Sequence, residues 1–215
     1  MDIPDLASSL PVKFNFILFD ACLMGSIEVE YELKDKADYI IASSTETIYT
    51  GFQYDLLIPK LIQPAIDYNA VAQSYFDYYN AQQGEYRSAT VSVVETQQLP
   101  ALAAVMKQLC ENNPVNLDTL DRTSVQRLDM YKEQYTFDLL DFVNKIFPNA
   151  NKDDFITQLN KAVLCKYHTP QFILEYDIKT YCGLSCYIPI ADRDDLNAYY
   201  KTLKWYRDAG LNYLF

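Results

Sequence analysis

This sequence of 215 residues predicts an α/β fold: a mostly parallel sheet layered between helices, with a helix-rich C-terminal part carrying late strands. Three observations predict it. Residues 14–19 form an apolar run broken only by Asn15, and residues 39–42 form a second run, both of strand length. Between them, the tight Gly25-Ser26 pair opens a Glu-rich segment, and strand, helix, strand at this spacing make a crossover whose strands run parallel. Further along, several stretches carry apolar residues at helical spacing, while only 5 glycines are available to pad loops.

The elements follow in order. Residues 1–9 are polar and turn-rich and read as a linker or frayed end. Residues 14–19 read as a strand buried on both faces. In the segment after Ser26, apolar residues alternate with Glu28, Glu30 and Glu32, a strand-like pattern. The glutamate content and Ser26 as a cap favour a helix. The run at 39–42 is the second strand. Helical spacing then marks 56–66 and 70–82, a third strand marks 90–94, and a helix covers 99–109. Apolar spacing predicts helices over 137–147 and 154–165, short strands near 172–174 and 184–188, and a closing helix over 196–206. Two parts are expected, 1–95 bearing the first strands and 96–215 rich in helices.

Composition narrows the function. Half the residues are hydrophobic and 22% are charged, so a packed core is expected. A net charge of −11 without a basic patch speaks against nucleic-acid binding. No stretch is long and apolar enough to span a bilayer, and the first twenty residues lack the pattern of a signal peptide. The five cysteines are 22, 110, 165, 182 and 186, an odd number without a disulfide framework. Cys182 and Cys186 have no matching pair elsewhere, so no metal site is expected.

The chemistry concentrates at the end of the first strand. Asp20 and Cys22 follow the apolar run directly, where an α/β sheet presents its ligand sites. A cysteine between a strand and a helix is exposed and close to a helix N-terminus, both of which favour a reactive thiolate. Asp20 would raise the thiol's pKa in close contact, so it makes a poor activator. It suits recognition of arginine or lysine through charge-assisted hydrogen bonds. The other reading of Asp20 is a cap for a helix starting near Met24. The polar segment 43–47 follows the second strand and belongs on the same rim, which makes Ser44 and Thr47 candidate walls of a substrate pocket.

The run Asp20-Ala21-Cys22-Leu23-Met24-Gly25, with Glu28-Val29-Glu30-Tyr31-Glu32-Leu33 after it, resembles the nucleophile segment of the clostripain-like cysteine peptidases, family C11, which have a caspase-like fold. Gly51-Phe52-Gln53-Tyr54, the late segment 183–189, and Tyr199-Tyr200 with Leu203 and Trp205 are similar to further parts of that family. The resemblance covers nearly the whole chain and is thin between 100 and 170. It implies Cys22 as nucleophile, Asp20 as the acid that selects a basic residue before the scissile bond, and peptide or protein substrates. It also implies a secreted or cell-envelope location.

That family's catalytic histidine precedes the cysteine, and no histidine precedes Cys22 here. The chain therefore resembles the cysteine-bearing, heavy-chain-like portion, without the histidine segment, the first strands and half of the oxyanion hole. A histidine-bearing N-terminal chain is the partner this implies. His168, the sole imidazole, stands in the wrong order and reads as a surface or structural residue. No cofactor is called for, and calcium dependence is not legible in the residues. The alternative function is an inactive peptide-binding or partner-binding module of the same fold.

Overall fold

The computed structural model describes residues 2–214. Met1 and Phe215, the outer ends of the two expected parts, lie outside the described residues. The chain opens with helix α1 (Ile3–Ser9), which corrects the expected linker. Pro4 sits in the first turn, where its missing N–H is not needed. Ala7 is buried, and Ile3 and Leu6 pack against a cluster containing Leu33, Ala37 and Ile40. Strand β1 (Phe14–Leu18) and strand β2 (Ala37–Ala42) pair in parallel around helix α2 (Ile27–Glu32), as the crossover spacing predicted.

Helices α3 (Tyr54–Leu61) and α4 (Tyr68–Asn80) lead to strand β3 (Thr90–Glu95) and helix α5 (Leu99–Asn112). The chain continues through strand β4 (Thr136–Asp138), helices α6 (Leu139–Ile146) and α7 (Asp153–Ala162), and strand β5 (Val163–His168). The expected helix over 154–165 thus stops at Ala162, and its last residues are strand. Strands β6 (Gln171–Phe172), β7 (Tyr176–Asp177) and β8 (Ser185–Tyr187) precede helices α8 (Asp194–Thr202) and α9 (Lys204–Asp208). The closing helix is divided at Leu203, whose backbone is extended.

The main sheet has the order β1-β2-β3-β5. Strands β1, β2 and β5 run in one direction, as expected of a mostly parallel sheet, and β3 runs against them, antiparallel to β2 and to β5. Between β2 and β3 the chain passes through two helices, and it re-enters the sheet at the end β2 left, with Ala42 opposite Ser92. The α/β layering is as predicted. Ile40 and Ala42 of β2 face the cluster that includes α1 and Leu33, while Ile41 faces Val71, Ala72 and Tyr75 of α4. This is the period-2 alternation of a strand covered on both sides. Strand β5, from the second expected part, completes the sheet of the first, and one core joins Ile27, Tyr31 and Val94 to α5, α6, α7 and α9.

Strand β1 differs from the reading of a strand buried on both faces. It pairs only with β2 among the described residues, and Phe14 is 39% exposed. Helix α2 explains why its sequence alternates like a strand. Its three glutamates are buried along with Ile27 and Tyr31, and two of them have partners. Glu28 Oε1 accepts the Tyr187 amide at 2.9 Å, and Glu32 accepts the Lys204 amide and pairs with Lys204 Nζ at 3.0 Å. Neither oxygen of Glu30 has a partner among the described residues, and burial raises its carboxyl well above the ordinary range. Burial without a partner disfavours the charged form of such a group.

Candidate active site

The carboxyl ends of β1 and β2 carry the site. Beyond Leu18 the chain stays hydrogen-bonded to its neighbour: Phe19 N donates to Ile41 O (2.9 Å), Leu23 N to Thr45 O (2.9 Å) and Gly25 N to Ser43 O (2.8 Å). Residues 20–22 arch away from the rim between these bonds, and Leu23 holds a left-handed conformation at φ 62° to close the arch. A leucine there stores about 1 kcal/mol of backbone strain. Gly25 is fixed from a second side, because Ser185 N donates to Gly25 O at 2.9 Å. Only glycine fits: a Cβ at this position would lie 2.8 Å from Ser44 Oγ and 2.9 Å from the Ser43 carbonyl carbon. Ser26 then caps α2 by accepting the Val29 amide at 3.3 Å.

Cys22 is exposed on this arch, and the Thr47 backbone N–H donates to its Sγ at 3.2 Å. Asp20 is also exposed. Its Oδ1 accepts the Phe52 amide at 3.2 Å and its Oδ2 accepts the Tyr54 hydroxyl at 2.8 Å. The Asp20 carboxylate, by that hydrogen bond, raises the pKa of Tyr54. Asp20 is therefore not a helix cap: α2 starts at Ile27, with Ser26 in that role. Asp20 and Cys22 contact one and the same loop, the first at 52–54 and the second at 47. Beneath it the buried Tyr75 hydroxyl has its pKa raised chiefly by burial, with smaller contributions from Tyr79, Asp20 and Cys22.

Thr47 lies at the sulfur, and its backbone makes the contact. Ser44 does not line the pocket. It is fully buried, and its Oγ donates to Gly25 O at 2.9 Å and lies 3.4 Å from the Tyr181 hydroxyl. It braces the arch from behind, because the first residues past β2 bond inward to Thr90 of β3.

His168 ends β5 opposite Thr90, three strands from β1. At a strand spacing near 4.8 Å, that places it roughly 14 Å from the β1 rim. Its Nδ1 is 2.9 Å from Thr169 O and its ring meets Tyr181 edge-on, so it is structural and not paired with the thiol. Among the described residues no group of His, Cys, Asp and Glu has a metal-binding arrangement. Sequence reading missed Glu46, whose Oε1 accepts the Met130 amide at 2.9 Å. It also missed Asp129, fully buried next to Met130. A separation of 84 residues between Glu46 and Met130 left no local signal.

The family model described as the clostripain family matches residues 1–206. Among solved structures, a B. fragilis cysteine protease superposes with a TM-score of 0.91 at 26% identity, covering 100% of this chain and 95% of that one. A clostripain from Bacteroides thetaiotaomicron, in complex with a peptide inhibitor, gives 0.87 at 30% identity, with 97% and 94% covered. An inactive zymogen C11 protease from Parabacteroides distasonis gives 0.86 at 31% identity, covering 97% of this chain and 62% of that one. No curated protein matches.

Proposed function

The chain belongs to the clostripain family of cysteine peptidases, and from that premise we propose that it carries the nucleophile and the specificity acid of an endopeptidase that cleaves after arginine or lysine. The observation that carries the reading is the exposed Cys22 Sγ receiving the Thr47 amide beside an exposed Asp20. In this reading a base takes the thiol proton and Cys22 attacks the peptide carbonyl. The base returns the proton to the leaving amine, and water then releases the acyl group from sulfur. Asp20 receives the guanidinium or ammonium of the residue before the scissile bond, with Thr47 beside it. No cofactor takes part.

The base comes from a histidine-bearing polypeptide outside these 215 residues. Two observations support this: His168 lies three strands from β1, and the outer edge of β1 is unpaired among the described residues and half-exposed, open to a further strand. For the 215 residues alone, the position of His168 favours peptide binding without turnover. The test is to isolate the protein from its source cells and identify its companions by mass spectrometry. A histidine-bearing companion is expected, with hydrolysis of arginyl peptides by the complex that is lost in Cys22→Ala. A chain without such a companion and without hydrolysis is a peptide-binding module.

A further inference from the structure

We propose that Glu46 is a positioning residue for the Cys22 thiol, fastening the segment that carries the Thr47 amide to the loop at 129–136. The proposal rests on the reading of Cys22 as the nucleophile. Thr47 N donates to Cys22 Sγ at 3.2 Å, and the residue next to it, Glu46, reaches across the site to accept the Met130 amide at 2.9 Å. On the near side Thr45 Oγ1 donates to the Glu46 carbonyl at 3.1 Å and lies 3.1 Å from Thr90 Oγ1, so residue 45 is tied to β3. Without the Met130 bond, residue 46 would lose its tie to the loop at 129–136 and keep only the one from Thr45.

The anchor at 129–136 is firm. Asp129 is fully buried and accepts four bonds from its own loop: Tyr131 N at 2.9 Å, Tyr135 N at 2.7 Å, Thr136 N at 2.5 Å and Thr136 Oγ1 at 3.0 Å. A carboxylate with that many donors is stable in the interior and fixes the turn around it. Arg127 adds a bond from Nε to Asp129 O at 3.1 Å and stacks its guanidinium over the Tyr176 ring at 4.6 Å. Glu46 Oε2, buried and without a partner among the described residues, makes no use of its charge. Burial pushes the Glu46 carboxyl above its ordinary range, while the Met130 amide pulls it back. The Oε1 bond to Met130 is the contact through which this half-buried carboxylate acts.

The test reads the thiol directly, in the chain as it exists. Rates of Cys22 alkylation by iodoacetamide are measured against pH with peptide mapping, in wild type, Glu46→Gln and Glu46→Ala. Both variants remove the charge, and only the glutamine keeps an oxygen for the Met130 amide. The expected result is a Glu46→Ala rate at neutral pH about three- to tenfold below Glu46→Gln, with a midpoint at higher pH, the scale of one ordinary hydrogen bond. Equal profiles for the two variants would overturn the proposal. Should the alanine variant not fold, Glu46→Met, close to glutamate in size, uncharged and without an oxygen for the Met130 amide, takes its place with the same two outcomes. Peptide hydrolysis does not enter this readout, so failure of the peptidase reading and failure of the Glu46 role are separate results.

Discussion

Gly51 and Asp20 are in direct contact, so close that a Cβ on Gly51 would lie 2.5 Å from Asp20 Oδ2. Gly51 also holds φ +59°, which favours glycine. The loop at 48–54 is thereby moulded around the acid. Gly51→Ala is expected to lose about 1–3 kcal/mol of stability, from the unfavourable φ and the forced shift of the carboxylate. Urea unfolding measures the loss. An unchanged midpoint would show that the loop yields freely and that Asp20 is not fixed by it.

Asp20→Asn keeps an oxygen for the Phe52 amide and removes the charge. Folding should change by less than about 1 kcal/mol, because the side chain is exposed. Activity of the complete enzyme on arginyl substrates should fall by about one to three orders of magnitude, the scale of losing one partner of a charge pair. Measured values of kcat/KM on arginyl and uncharged peptides separate the two effects. Unfolding of the variant with basic preference intact would make Asp20 structural.

The isolated chain should show negligible hydrolysis of arginyl peptides, since a missing general base costs roughly 10² to 10⁴ in rate. Efficient cleavage lost in Cys22→Ala would contradict this and bring His168 back as the base.

Stability should depend on pH through Glu28, whose carboxyl burial raises from 4.5 to about 7, the Tyr187 amide lowering it in part. The native state then holds a proton that the unfolded chain releases above pH 4.5. This contribution is complete below the unfolded value and is lost as pH rises through about 7. The full span is on the order of 3 kcal/mol. Glu28→Gln, which keeps an acceptor for the Tyr187 amide, should be the more stable protein at pH 8 and nearly equal at pH 4.5. Equal pH dependence of the two melting curves would refute the assignment.

The sequence revealed the frame of the site because hydrophobic runs mark strands and their ends mark the rim. The βαβ unit, the position of Asp20 and Cys22 just past β1, and the cap at Ser26 were all legible. Ser44 was misplaced because a polar residue after a strand looks exposed, whereas here it bonds to Gly25 O inside the fold. The end of α7 was hidden because Val163 and Cys165 continue its apolar spacing and no glycine or proline separates helix from strand. The buried glutamates of α2 find their partners at Tyr187 and Lys204, far along the chain, and such pairings leave no local trace.

The most direct test of a Cys22 nucleophile with an Asp20 specificity acid is mass spectrometry of the chain after reaction with two peptidyl acyloxymethyl ketones. One ends in arginine and the other in glutamate. A single adduct on Cys22 is predicted, forming at least about tenfold faster with the arginyl probe, as for one lost charge-assisted contact. Adducts spread over several cysteines, or equal rates with the two probes, would contradict the account.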